Sequence, residues 1–127
     1  LDFWATWCRP CIKGLPYLNE FTVWAEEQNL PVKVFAVNIE GGSNESARTK
    51  VEKFWAGKDY KMTVLIGSAD KKLSDDYQIG GIPVTFVIAP DGTIIEHHVG
   101  YSDGMVDTLK ALVAKALAPK DQPDHPE

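Results

Sequence analysis

Residues 1–16 read "LDFWATWCRPCIKGLP" and hold both cysteines of the chain, Cys8 and Cys11. The first five residues, bulky and apolar but for Asp2 and the small Ala5, read as a short buried strand. Trp7 to Arg9 forms a turn, and Pro10 suits the first turn of a helix, where its missing N–H leaves no bond unmade. The helix then carries Ile12, Leu15, Leu18, Phe21, Val23 and Trp24 near the three-four spacing of one apolar face, with Pro16 inside it and Asn29 at its end. A strand, a turn and a helix therefore converge on two cysteines set three residues apart.

The rest of the chain continues the alternation. Residues 32–39 (VKVFAVNI) are β-branched and nearly all apolar, as in a strand buried on both faces. Asn44 is placed to cap a helix over 45–57 with Val51, Phe54 and Trp55 inward. Residues 62–67 (MTVLIG) read as a strand. Ser68 or Asp70 opens a short helix that runs to Tyr77, and "IGGIP" breaks the pattern. Residues 84–88 and 93–99 flank "APDG", the composition of a hairpin turn. Ser102 is expected to cap a last helix with Met105, Leu109, Leu112, Val113 and Ala116 on one face. Strands alternating with helices imply a mainly parallel sheet covered on both faces, with an antiparallel hairpin at its end.

At 127 residues the chain reads as one domain over 1–118, followed by a polar, proline-rich tail over 119–127 that is expected to be disordered. A net charge of -5 argues against a nucleic-acid partner, which needs a basic face. No stretch approaches the roughly 20 apolar residues of a membrane span, and no signal peptide is visible. Leu1 is not methionine and the first strand is already under way, so further residues, with any leader or anchor, are expected upstream.

The first cysteine at a helix N-terminus faces unpaired N–H groups and the positive end of the dipole, which favours thiolate. Arg9 acts in the same sense. Cys11, one turn on, is close enough to form a small disulfide with Cys8. Cys8 can then attack a disulfide and Cys11 can resolve the mixed species. Three other readings stand beside this one. Two buried inert cysteines need only apolar neighbours. A zinc site needs about four ligands, whereas the further candidates here are His97, His98 and His125, two of them adjacent on a strand and so on opposite faces. A peroxide-reducing cysteine in the pattern P-x-x-x-T-x-x-C would need proline and threonine where this chain has Leu1 and Ala5.

"DFWATWCRPC", Pro16 and "GGIPVTFVIAPDG" together resemble the thioredoxin superfamily over nearly the whole chain, and "FWATWC" with the extra helix–strand segment over 45–66 resembles its TlpA/ResA-like branch. The resemblance implies an α/β thioredoxin fold: a central mixed sheet flanked by helices, with that insertion and with the N-terminal part of the domain missing. It implies a thiol–disulfide oxidoreductase, acting as a reductase in settings such as cytochrome c maturation. Its partners would be protein disulfides or dithiols and an upstream electron donor, with no metal and no organic cofactor. It further implies a monomer in the bacterial periplasm or otherwise extracytoplasmic, exported or membrane-tethered in full-length form. A redox-sensing or binding module without turnover, and a thioredoxin-like peroxidase, are the alternatives.

Residue by residue, the resemblance makes Cys8 the nucleophile and Cys11 the resolving thiol. Pro83 takes the family's cis-proline position, and Ile82 before it offers backbone to a substrate segment, with Trp7 on the same binding surface. Asp2 matches a buried aspartate that takes a proton from Cys11. The lysine that usually faces that aspartate is replaced by Ala36. Arg9 and Pro10, between the cysteines, tune the potential, Arg9 toward a more oxidising value. Glu40 matches an acidic residue that some relatives place near the dithiol.

Overall fold

The computed structural model describes residues 1–67 and 71–118. The expected tail over 119–127, and the opening of the short helix at Ser68 or Asp70, lie outside the described residues. Five strands form one sheet in the order β3-β2-β1-β4-β5. β1 (Asp2–Trp4) is central, parallel to β2 (Phe35–Asn38) on one side and antiparallel to β4 (Val84–Ile88) on the other. β3 (Thr63–Ile66) extends the parallel half and β5 (Ile94–Val99) the antiparallel half. The sheet is thus mixed.

Successive strand residues point to opposite faces, so three residues of β1 set up two cores. Asp2 and Trp4 face α1 (Arg9–Glu27). Trp4 joins Leu15, Leu18, Phe21, Ala36, Val51, Leu109 and Val113 in the larger cluster, which also takes in residues of α2 (Asn44–Trp55) and α4 (Met105–Ala116). Phe3 turns the other way, onto Val37, Val84 and Phe86, with Tyr77 and Ile79, just after α3 (Lys71–Asp76), packed against them.

The helix ends show where local chemistry departs from the sequence reading. α1 stops at Glu27. Asn29, with φ 54°, occupies the left-handed position after it, and its N–H and that of Leu30 bond to the carbonyls of Glu26 and Ala25. This closing pair of bonds is the usual helix stop at a residue that tolerates positive φ. The buried stripe of α1 also uses small residues, Cys11, Gly14 and Ala25, while Ile12, Val23 and Trp24 are only half-buried. α2 is capped by Ser43, whose Oγ accepts from the Ser46 N–H at 3.1 Å, not by Asn44, which is its first helical residue. α4 has Gly104 at its N-cap and no side-chain cap, since the Ser102 hydroxyl lies 3.2 Å from His98 Nε2 instead. β2 begins at Phe35, three residues later than the apolar run suggested.

The hairpin turns through "APDG", with the Gly92 N–H on the Ala89 carbonyl at 2.9 Å and Gly92 at φ 91°. Because β4 runs against β1, its first residue pairs with Phe3. The residue just before β4, Pro83, therefore lies at the carboxyl end of β1, where the chain enters α1.

Ser43→Ala is expected to lower folding stability by about 1 kcal/mol, because an N-cap hydroxyl satisfies an otherwise unpaired helix N–H; urea denaturation of the two proteins measures it.

Candidate active site

Cys8 is the N-cap of α1, with extended backbone (φ −98°, ψ 103°). Its carbonyl accepts the Ile12 N–H at 3.0 Å, and its Sγ accepts the Cys11 N–H at 3.2 Å. Cys8 and Cys11 are joined as a disulfide with Cα atoms 5.2 Å apart. The pair is nearly sealed, Cys8 6% exposed and Cys11 1%. Arg9 and Pro10 form the exposed first turn beside it.

Ile82 and Pro83 close the opposite wall. The Ile82–Pro83 peptide bond is cis, and Cys8 Sγ lies 3.7 Å from the Ile82 carbonyl oxygen. The Pro83 carbonyl is taken by the Gly100 N–H at 2.7 Å. Trp7 is 64% exposed, with its indole N–H donated to the Glu40 carbonyl at 3.2 Å.

Two carboxylates, Asp2 and Glu40, are buried and sit in opposite environments. Asp2, 4% exposed, accepts from the Thr85 hydroxyl at 2.8 Å. Burial pushes its carboxyl up to about 6, and the Thr85 bond acts in the other sense. Its neighbour on β2 is Ala36, so no cation faces it from that register position. Asp2 and Cys11 both border a small cavity of about 10 Å³, together with Gly14, Pro83, Thr85, Gly100, Tyr101 and Met105. That is close to the space one water occupies.

Glu40 holds the loop that leads to the sulfurs. Its carboxylate accepts from the Thr6 N–H at 2.9 Å, the Thr6 hydroxyl, and the Asn38 amide at 3.1 Å, while its own N–H donates to Asn38 Oδ1 at 3.0 Å. Burial works against its charge, but these bonds outweigh it and, with Lys50 nearby, hold the carboxyl below its ordinary value.

Thr6, Asn38, Thr85 and Tyr101 were not singled out from sequence. Thr85 is two residues after Pro83 and so on the Asp2 face of the sheet, a parity the sequence does carry. Asn38, a polar residue ending an apolar strand, was the other available signal.

Residues 1–113 match the redoxin family. The chain belongs to that family. It is 32% identical over 100 residues to the thiol-disulfide oxidoreductase ResA of Bacillus cereus, an alignment that covers 79% of this chain and 53% of the relative. The chain thus spans about half the length of the curated relatives it matches. Among solved structures it resembles the thiol:disulfide interchange protein DsbE of Chlorobium tepidum, with a TM-score of 0.75 and 26% identity over 91% of this chain and 76% of that one. It also resembles the pneumococcal exposed lipoprotein thioredoxin of Streptococcus pneumoniae, with a TM-score of 0.67 and 29% identity over 87% and 81%. The mixed sheet with its flanking helices is the thioredoxin fold of these neighbours.

Two outcomes are expected. Between pH 3.8 and about 6 the folded protein keeps a proton on Asp2 that the unfolded chain has released, so this group's contribution to stability is full below the window and lost as pH rises through it. Urea denaturation across that range should show a fall of up to about 3 kcal/mol that Asp2→Asn removes. Glu40→Ala should cost about 1–3 kcal/mol by leaving the Thr6 and Asn38 donors unmet. Glu40→Gln can accept those bonds and turn its amine to the Thr6 hydroxyl, so it should keep both stability and the Trp7 emission maximum.

Proposed function

We propose that the protein is a thiol–disulfide oxidoreductase that exchanges the Cys8–Cys11 pair with protein partners, working as a reductase. The observation that carries this reading is the Cys8 sulfur, held at the N-terminus of α1 against the Cys11 N–H and beside the Ile82 carbonyl. In the reduced protein, helix N–H groups stabilise a Cys8 thiolate, the attacking form. That thiolate attacks one sulfur of a partner disulfide, and the partner's other sulfur leaves as thiolate. Cys11, having lost its proton, attacks Cys8 Sγ. The partner's second sulfur departs, and the Cys8–Cys11 disulfide forms. Two electrons pass to the partner, and an upstream dithiol must return them before the next cycle.

Asp2 is the acceptor proposed for the Cys11 proton. A carboxyl near 6 is matched to proton transfer at neutral pH, and the shared cavity offers a path. Ile82 offers backbone to an extended substrate segment, with Pro83 setting its position and the exposed Trp7 ring flanking it. Arg9 stabilises thiolate and shifts the pair toward the oxidising side. Glu40 is a positioning residue for the loop before Cys8. An extracytoplasmic site of action is supported by the likeness to a surface-exposed lipoprotein thioredoxin. Cytochrome c maturation is the setting implied by the TlpA/ResA-like resemblance.

Cys8→Ser should reduce the rate of disulfide reduction on a model protein substrate to the uncatalysed background. Cys11→Ser should accumulate a mixed disulfide through Cys8, seen as a mass adduct that dithiothreitol releases. Unchanged turnover in Cys8→Ser would overturn the enzymatic reading.

A further inference from the structure

The cavity between Asp2 and Cys11 has one weak wall. Asp2, Cys11, Gly14, Pro83, Thr85 and Met105 are all buried; Gly100 and Tyr101 are the half-buried members of the lining, and of these only Tyr101 has a side chain. Two glycines bring that ring into place. Gly100, at φ 84°, turns the chain out of β5 in a conformation that L side chains rarely adopt, and its N–H is fastened to Pro83. Gly14 gives the ring its seat on α1, where a Cβ would stand 3.4 Å from Tyr101 Cδ1. From outside, the ring meets the Tyr17 ring at 5.7 Å between centroids and Lys13 Nζ 5.3 Å from its centre, and its hydroxyl hydrogen-bonds with Tyr17 and donates to Asp103 at 3.0 Å. Contacts of this exposed kind are each worth little. Side chains near the surface also exchange rotamers quickly.

We propose that Tyr101 is a stopper for the Asp2–Cys11 cavity, closing it against bulk water when seated on Gly14 and admitting water when it swings out. Tyr101 is then a positioning residue for proton traffic at the resolving cysteine. This rests on the reading of Asp2 as the acceptor of the Cys11 proton. Seated, the ring keeps Asp2 desolvated and Cys11 out of reach of solvent reagents. Displaced, it connects both to bulk solvent, and the Asp2 carboxyl relaxes toward its ordinary range.

The test uses the reduced Cys8→Ser protein, whose single thiol is Cys11, and measures its alkylation by iodoacetamide across the acid-to-neutral range. Adding Tyr101→Ala should speed alkylation about tenfold, since a protected group reacts in proportion to the population of its open state. The inflection due to Asp2 should also move to lower pH. Tyr101→Phe keeps the ring and should stay slow. Gly14→Leu fills the seat from the helix side and should match Tyr101→Ala, so it carries the test if Tyr101→Ala fails to fold by circular dichroism. Folded Tyr101→Ala and Gly14→Leu proteins that react at the parent rate with the parent pH profile would overturn the proposal. Asp2→Asn in the same background tests the underlying reading separately. Loss of the inflection supports the proton-acceptor role; its persistence sinks that role, while the stopper is still judged by the rate.

Discussion

Everything at the active end depends on one hydrogen bond, from the Cys11 N–H to Cys8 Sγ. The first turn of an α-helix has N–H groups with no partner inside the helix, and the N-cap side chain is what answers them. Serine, threonine, aspartate or asparagine usually does so with oxygen. Here sulfur does, so the atom that caps the helix is also the atom that reacts. A thiolate meets that need better than a thiol, since a negative acceptor binds an N–H more strongly. Helix stability and nucleophile activation are therefore coupled through the same cap.

The sheet determines what surrounds the cap. β1 is the one strand with a parallel neighbour on one side and an antiparallel neighbour on the other. The parallel side brings the end of β2, with Asn38 and Glu40, alongside the exit of β1. The antiparallel side brings the start of β4, with Ile82 and Pro83, and the end of β5, with Gly100 and Tyr101. Loops from four strands thus gather around a turn only a few residues long. Ligand sites in open α/β sheets lie at such reversals of strand order for the same reason: neighbouring connections part there and leave an opening.

Much of this was legible in the sequence, and what was missed shares a cause. The strand–turn–helix around Cys8, Pro10 in the first turn, the hairpin at "APDG" and the resolving role open to Cys11 follow from local pattern and covalent geometry. The caps of α2 and α4 differ from the expected ones by one and two residues, because Ser43, Asn44, Ser102 and Gly104 are all acceptable cap or turn residues and local pattern does not choose among them. Ser102 met His98, a residue brought near by β5. Glu40 is legible by its charge, but its partners are not. Its bonds to Thr6 span the gap between β2 and β1, and strand register, not spacing along the chain, creates them. Tyr101 was invisible for the same reason, since its seat is a glycine on a helix far away in sequence.

The two buried carboxylates show how environment divides one chemistry into two tasks. Glu40 is surrounded by donors, two from Thr6 and one from Asn38, so its charge is satisfied and its proton is lost well into the acid range. Such a group cannot exchange a proton near neutrality without breaking the loop it holds. Asp2 has a single described donor, Thr85, and borders a small cavity that it shares with Cys11. Desolvation there exceeds what one hydroxyl can offset, which holds the carboxyl up near 6, within reach of proton exchange close to neutrality. Exchanging the two environments would exchange the roles: a second donor beside Asp2 would make it a fixed anion. The absence of a cation at Ala36 is therefore part of the design, because a lysine at that register position would lower Asp2 toward the range that Glu40 already occupies.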